Sequence, residues 1–331
     1  MNRNIGVSPD NNNWVWENYW QGNRVALCLD SDYFTYDEAV SRDWKSFFSA
    51  FEDGAGLLDI CTGNGAVALL ALEASKEQGK SFHITGADRA EINPAKFVTS
   101  NSDALSQIGF DGGVDISNLP YADASFDGVS GQYALEYTNI SESLVEIARV
   151  LKPQARVRFL LHASEGTIAQ GATRELSRIA DFRAAANIFE LAKRAIDAAL
   201  KQKKMPQPSR AVVEKTSQAE AKFRTAIQAC EGTYDRSERD FVFGILSTLV
   251  NALQAVPHYD EPVIRQQFEN VKTSLDAHEG RLKSLSQSAV DYASCEVIGE
   301  TLRMLGFEPS PILAGKVDGN QIGWIVSAVR S

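Results

Sequence analysis

Residues 57–70 read Leu-Leu-Asp-Ile-Cys-Thr-Gly-Asn-Gly-Ala-Val-Ala-Leu-Leu, an apolar run, a glycine-bearing turn and a second apolar run with no spacer between them. Short apolar run, tight turn and helix in immediate succession open a βαβ unit, in which the turn brings backbone N–H groups and glycine surfaces against a ligand. A diphosphate-binding turn would carry G-x-G-x-x-G. Here Ala66 and Val67 follow Gly65, and an acid, Asp59, stands at the end of the predicted strand. A carboxylate repels a diphosphate and attracts an ammonium or sulfonium group.

The same alternation continues. Gly56–Ile60, Phe82–Ala87, Gly109–Val114, Phe126–Ser130 and Ala155–Leu161 are short apolar runs, and Ala66–Gln78, Asn93–Gln107 and Ser141–Leu151 are amphipathic stretches between them. Strands alternating with helices predict an open, parallel α/β sheet. Pro153 is expected to close the helix before the fifth strand. A helix over Tyr36–Phe51, with Asp37 as N-cap, precedes the sheet and carries Trp44, Phe47, Phe48 and Phe51 at helical spacing. Beyond residue 290 a helix over Val297–Leu305, with Gly306 as C-cap, leads to strands Phe307–Leu313 and Ile322–Val329. The tight Asp318-Gly319-Asn320 connection makes that pair antiparallel.

Between residues 164 and 290 the strand signal vanishes. Phe182, Ala186, Phe189, Ile196 and Leu200 share one helical face, as do Phe241, Ile245, Leu249, Ala252, Leu253 and Val256. Met205-Pro206-Gln207-Pro208 and Val256-Pro257-His258-Tyr259 read as turns, so three to five helices are expected. The predicted organisation is a tail and aromatic segment over 1–35, an α/β domain over 36–163 and 291–331, and an all-helical insertion over 164–290 serving as a substrate cap or a dimerisation module. Trp14, Trp16, Tyr19 and Trp20 are expected to close over a ligand or plug the core edge.

Composition narrows the classes. The 331 residues are 44% hydrophobic and 23% charged, enough to bury a real core, and the formal charge of −10 counts against a polyanionic partner such as nucleic acid. Cys28, Cys61, Cys230 and Cys295 lie far apart and only four histidines are present, so no zinc ligand set is expected. The polar start lacks the apolar core of a secretory leader, and no apolar run reaches the ~18 residues of a membrane span, so a cytoplasmic protein is expected.

The D-x-C-x-G-x-G turn resembles the first motif of the class I S-adenosylmethionine (SAM) dependent methyltransferases, acidic-x-Gly-x-Gly-x-Gly, with Cys61 in place of the first glycine. Further segments resemble the same family in the same order. They are Gly86-Ala87-Asp88-Arg89, Asp115-Ile116-Ser117-Asn118-Leu119-Pro120, Ser125-Phe126-Asp127 and Ala148-Arg149-Val150-Leu151-Lys152-Pro153. The resemblance covers about residues 57–161 and the closing 40 residues. It implies a Rossmann-like, seven-stranded, mostly parallel sheet with an antiparallel last strand, and the helical block over 164–290, which the resemblance does not cover, is then a large insertion after strand five.

It further implies SAM as cofactor and S-adenosylhomocysteine as product. Asp59, Cys61, Gly63 and Gly65 would form the cofactor loop, and Asp88, with Arg89, would receive the ribose hydroxyls. Asp115 would accept from the adenine amine while Ile116 packs on the ring, and Gln132 and Tyr133 would hold the methionine end through main-chain carbonyls. For an in-line displacement on a small or medium organic acceptor, His162 and Glu136 are the candidate catalytic groups at the strand ends. The amino-methylating signature N-P-P-[YF] is absent at Gly131-Gln132-Tyr133-Ala134, which leaves O-, N- or C-methylation open. The competing readings are a non-catalytic SAM-binding or interaction module and a Rossmann oxidoreductase. A homodimer through the helical insertion is a further expectation.

Overall fold

The computed structural model describes residues 13–22, 25, 38–233 and 239–331. The expected polar tail, Cys28 and the Asp37 cap lie outside these residues. In chain order the elements begin with helices α1 (Asn13–Trp20) and α2 (Glu38–Phe48), then β1 (Gly56–Ile60), α3 (Ala66–Glu77) and β2 (His83–Ala87). There follow α4 (Pro94–Phe97), α5 (Ser102–Leu105), β3 (Gly109–Asp111), β4 (Phe126–Gln132), α6 (Ile140–Val150) and β5 (Leu151–His162). Five helices come next, α7 (Thr167–Ala186), α8 (Ile188–Lys203), α9 (Arg210–Thr233), α10 (Arg239–Gln254) and α11 (Glu261–Ser288). The chain closes with α12 (Tyr292–Met304), β6 (Phe307–Pro309), β7 (Leu313–Val317) and β8 (Asn320–Arg330).

The chain divides into a sheet unit, residues 1–173 with 280–331, and a helical unit, residues 174–279. In the sheet unit the order is β3-β2-β1-β4-β5-β8-β6, with β7 also paired to β8. Strands β1 to β5 are parallel and β8 runs antiparallel to β5. Both β6, through Pro309↔Ala328, and β7, through Leu313↔Ile325, lie along the edge of β8 that β5 does not use. They are two pieces of one edge position broken at residues 310–312, so the eight strands occupy seven places. Asp318 (φ 48°) and Gly319 (φ 79°) form the two-residue hairpin between β7 and β8 with left-handed backbone at both positions.

Successive residues of a strand point to opposite faces, and the two cores follow that rule. Leu58, Ile60, Val129, Val157 and Leu161 pack with Leu144 and Ile147 of α6 and Ile298 and Leu302 of α12. Leu57, Ile84 and Leu160 pack with Val67 and Leu70 of α3 and Trp44 and Phe48 of α2. Each such buried side chain contributes about 2 kcal/mol.

Two expectations need correction. The single helix expected over Asn93–Gln107 is two short ones: Asn93 caps Pro94–Phe97, then Val98 turns extended (φ −104°, ψ 106°) before α5. Pro153 does not separate helix from strand but sits inside β5, where the register against β4 shifts between Phe126 and Gly128. Proline survives where a bulge removes the need for its missing N–H. Arg149 gives the Ala148-Arg149 motif a structural role. Its guanidinium donates to the carbonyls of Leu119 (2.9 Å) and Tyr121 (2.7 Å), while Glu146 accepts from the Leu119 amide at 3.0 Å. This ties the loop between β3 and β4 to α6.

In the helical unit, Phe182 and Phe189 meet edge-to-face at 6.2 Å, and Phe189 meets Phe268 at 6.3 Å. Lys201 and Lys203 occupy the last turn of α8, where cations complement the helix dipole. The Asp197–Arg265–Glu261 ion pairs, with Arg265–Asp197 at 2.9 Å, lie at the half-exposed surface. No described helix is long and apolar enough to cross a membrane.

Candidate cofactor and acceptor site

The chain leaves β1 toward β2 on one side and returns to β4 on the other, so the sheet's switch point lies between β1 and β4. Ligands of open α/β sheets bind beyond the carboxyl ends of the strands at that point. Asp59 near the end of β1 is 3% exposed, and both of its oxygens are engaged: Oδ2 accepts from Thr62 Oγ1 at 2.6 Å and Oδ1 from Ser130 Oγ at 2.8 Å. Burial raises its pKa to about 7 against the lowering effect of those hydroxyls. Asp59 therefore braces the loop from below. Cys61 follows in left-handed backbone (φ 47°), and burial with the surrounding carboxylates pushes its thiol well above the usual range.

Asp88 leaves the end of β2. Its Oδ2 accepts from the Gly63 amide and its Oδ1 from the Ala90 amide, both at 2.8 Å. Burial lifts its pKa to about 6, the amide hydrogen bonds opposing the rise. For Asp115 burial also works against the charge, but two hydrogen bonds from Ser117 and the charge of Arg89 outweigh it and hold the carboxyl below its ordinary range. Both Ser117 bonds fall on Oδ1, which leaves Oδ2 as an acceptor for a ligand. Ile116 beside it is 2% exposed.

At the end of β4, Gln132 Oε1 accepts from the Trp44 indole at 2.5 Å, and an indole N–H only donates, so the amide nitrogen of Gln132 is the end left to turn elsewhere. Tyr133 has left-handed backbone (φ 53°) and stacks on His162 with ring centres 3.8 Å apart. His162 and Glu136 are both buried. Glu136 Oε1 accepts from the His162 amide at 2.8 Å and contacts its Nδ1 at 2.9 Å.

These strand ends open onto a cavity of about 350 Å³. Asp59, Cys61, Asp88, Arg89, Asp115, Ile116, Gln132 and Tyr133 line it. Gly63 and Gly65 do not. A Cβ on Gly63 would stand 2.3 Å from the Trp20 ring, and one on Gly65 would stand 2.6 Å from Phe110, so their bare surfaces receive protein rather than ligand. His162 and Glu136 do not line it either: they sit behind Tyr133 and Tyr137, which do. The two candidate catalytic groups are therefore buried behind the cavity wall and bonded to each other.

Other lining residues are not among the expected cofactor contacts. Thr62, Ala66 and Val67 continue the loop into α3. Helix α1 brings Asn13, Trp16 and Trp20, so the aromatic segment both walls the cavity and plugs the core edge. Trp16 meets Tyr137 edge-to-face at 5.4 Å, and Asn13 donates to the Arg89 carbonyl at 3.1 Å. The last turns of α11 bring Lys283, Ser284, Gln287 and Ser288. The turn residues and the tryptophan cluster carry a signal in the sequence, whereas the α11 residues do not.

The donor set suits a ligand rich in hydroxyl and amine donors and carrying positive charge. Asp88, at the end of β2, and Asp115, in the loop after β3, present acceptors, Ile116 and Val67 add apolar surface, and Asp59 adds buried negative charge. Among the described residues no cluster of metal ligands is present. Switch-point site, acidic loop ends and mixed sheet define an α/β domain of Rossmann-like form whose site suits a nucleoside.

A family model described as "Methyltransferase domain" matches residues 57–154. The 2-phytyl-1,4-naphthoquinone methyltransferase of Nostoc punctiforme is 31% identical over 146 residues, 42% of this chain and 61% of the relative. The demethylmenaquinone methyltransferase of Desulfitobacterium hafniense is 35% identical over 107 residues, 31% of this chain and 41% of the relative. The chain thus spans less than two thirds of these curated relatives. A Burkholderia thailandensis 1,6-didemethyltoxoflavin-N1-methyltransferase, solved with its acceptor and S-adenosylhomocysteine, aligns over 39% of this chain and 55% of its own at 24% identity, TM-score 0.31. Residues 57–154 thus match the methyltransferase family, and this part of the sheet domain is similar to the class I SAM-dependent methyltransferases, whose cofactor is SAM.

Proposed function

We propose that the chain transfers a methyl group from SAM to an O, N or C atom of a small or medium organic molecule that contains a planar ring. The observation that carries this reading is the convergence of Asp88, at the end of β2, and Asp115, in the loop after β3, on one cavity that Trp16, Trp20, Tyr133 and Tyr137 also line. Asp88 accepts the ribose hydroxyls, Asp115 Oδ2 accepts the adenine amine, and Ile116 packs against the base. When bound, the cofactor supplies an electrophilic methyl group on a sulfonium centre. Trp16, Tyr133 and Tyr137 form a wall for a flat acceptor, exclude water and hold its nucleophilic atom in line, so positioning is the chain's main contribution to rate. The naphthoquinone and demethylmenaquinone methyltransferases among the relatives favour a quinone-derived ring among such acceptors.

Calorimetric titration with SAM and with S-adenosylhomocysteine, followed by labelled-methyl transfer to reduced naphthoquinones, tests this. Micromolar binding of both ligands and label in the ring product are expected. Binding without transfer to any ring acceptor would favour a SAM-binding module, and binding of neither would reject the reading.

A further inference from the structure

The last turns of α11, from Gly280 to Ser288, belong to the sheet unit, and residues 280, 283, 284, 287 and 288 recur at helical spacing on one face. Gly280 meets α1 there: a Cβ on it would stand 2.8 Å from Val15, and the Arg281 guanidinium lies 4.4 Å from the Tyr19 ring centre. Lys283, Ser284, Gln287 and Ser288 continue this face along the cavity wall. None belongs to the set expected to hold the cofactor.

Ser288 is the distinctive member. It is 5% exposed, lines the cavity, and its Oγ is buried without a hydrogen-bond partner among the described residues. A buried hydroxyl left unpaired is costly and is uncommon in folded proteins. It is also rigidly placed: two residues on, the Val290 amide donates to the His162 carbonyl at 2.8 Å and the Ser164 amide to the Val290 carbonyl at 2.9 Å. Ser288 is therefore anchored to the end of β5 beside the cavity.

The charge of this region selects the partner group. Lys283 and Glu142, both exposed, line the same cavity with opposite sign, so this rim has no excess charge with which to hold a carboxylate or phosphate. We propose that the Ser288 hydroxyl, assisted by Ser284 and Gln287, recognises a neutral hydroxyl or carbonyl on the acceptor ring, and that this face of α11 determines acceptor specificity. The proposal rests on the methyltransferase reading above.

The test uses the full chain and two ring probes, 1-naphthol and 1-naphthoate, titrated with and without saturating S-adenosylhomocysteine. The neutral phenol is expected to bind the loaded wild type and the carboxylate to bind at least about tenfold more weakly. Ser288→Ala should weaken 1-naphthol binding about fivefold, the equivalent of one neutral hydrogen bond, with the S-adenosylhomocysteine affinity unchanged. Ser288→Thr, which keeps the hydroxyl, should retain most of the affinity. No 1-naphthol binding to the loaded wild type, preference for the carboxylate, or an unaltered affinity in Ser288→Ala would overturn the proposal. Failure of S-adenosylhomocysteine to bind would instead remove the cofactor reading, and the 1-naphthol comparison without it would still decide the role of Ser288.

Discussion

The Trp20 ring fills the space that a side chain at Gly63 would take, with a Cβ there only 2.3 Å from Cζ2. Asn64 secures the contact by donating to the Trp20 carbonyl at 3.0 Å, so α1 is bound to the cofactor loop by packing and by a hydrogen bond. Gly63 also has φ +53°, which disfavours any other residue.

Gly63→Ala should therefore destabilise the protein by about 2–4 kcal/mol, the sum of left-handed strain and overpacking. Trp20→Ala should itself be costly, but in the double variant the overpacking part disappears. Urea denaturation of the two single variants and the double variant should give a total smaller than the sum of the singles. Strict additivity would show that the ring and the loop are independent.

Asp88 and Asp59 predict opposite pH effects on binding and on stability. Burial raises them to about 6 and about 7, whereas in the unfolded chain both ionise at the ordinary carboxyl pKa, about 3.9. Between those limits the folded state holds more protons, so the stability they contribute without ligand is lost as pH rises from about 4 to about 7. Ribose hydroxyls need the ionised Asp88, so S-adenosylhomocysteine should bind more weakly as pH falls below about 6, by at most about tenfold per unit. Calorimetry across pH 5–8 reads the second effect. Asp88→Asn should bind weakly and show a flatter profile, and an unchanged profile would remove Asp88 from the ligand site.

What was legible in the sequence was local. The β1–α3 turn, the acids at the strand ends and the Asp318-Gly319 hairpin are set by residues a few positions apart, and their chemistry can be read without coordinates. The split of the 93–107 segment is not legible because the helical spacing of the Asn93–Gln107 stretch masks its Val98-Thr99-Ser100-Asn101 interruption. The true occupants of the Gly63 and Gly65 surfaces were not legible, because Trp20 lies 43 residues before Gly63 and Phe110 lies 45 after Gly65. The end of α11 reaches the cavity from more than 200 residues beyond the loop, and a polar helical face looks the same in sequence whether it meets solvent or ligand. His162 shows the same limit: a strand-end position gives nearness to the site, not which side of Tyr133 the ring occupies.

That placement makes Glu136→Gln and His162→Asn structural variants. Glu136 Oε1 serves both the His162 amide and ring, and its Oε2 is buried without a hydrogen-bond partner among the described residues. Leaving one member of a buried hydrogen-bonded pair without its partner costs about 1–3 kcal/mol. Chemical denaturation should show a loss of that order for either variant, while the S-adenosylhomocysteine affinity of the folded fraction stays within about twofold of wild type, a free-energy change under 0.5 kcal/mol by the standard conversion, roughly. Full stability combined with lost transfer would return His162 to the catalytic step.

Cys61 occupies a position that its backbone, at φ 47°, would give to glycine. A non-glycine residue there carries about 1 kcal/mol of strain. The thiol returns little for it: its contact with the Ala134 carbonyl is 3.9 Å, and burial with the nearby acids keeps it protonated. Cys61→Gly relieves the strain but adds freedom to the unfolded chain, which offsets part of the gain. The variant should melt at the same temperature as wild type or slightly above it, and should bind S-adenosylhomocysteine at least as well, because the loop backbone is unchanged. Iodoacetamide should label Cys61 slowly in the native wild type, since the thiolate is the reactive form. A clear fall in melting temperature for Cys61→Gly would mean that the sulfur packs more favourably than its geometry indicates.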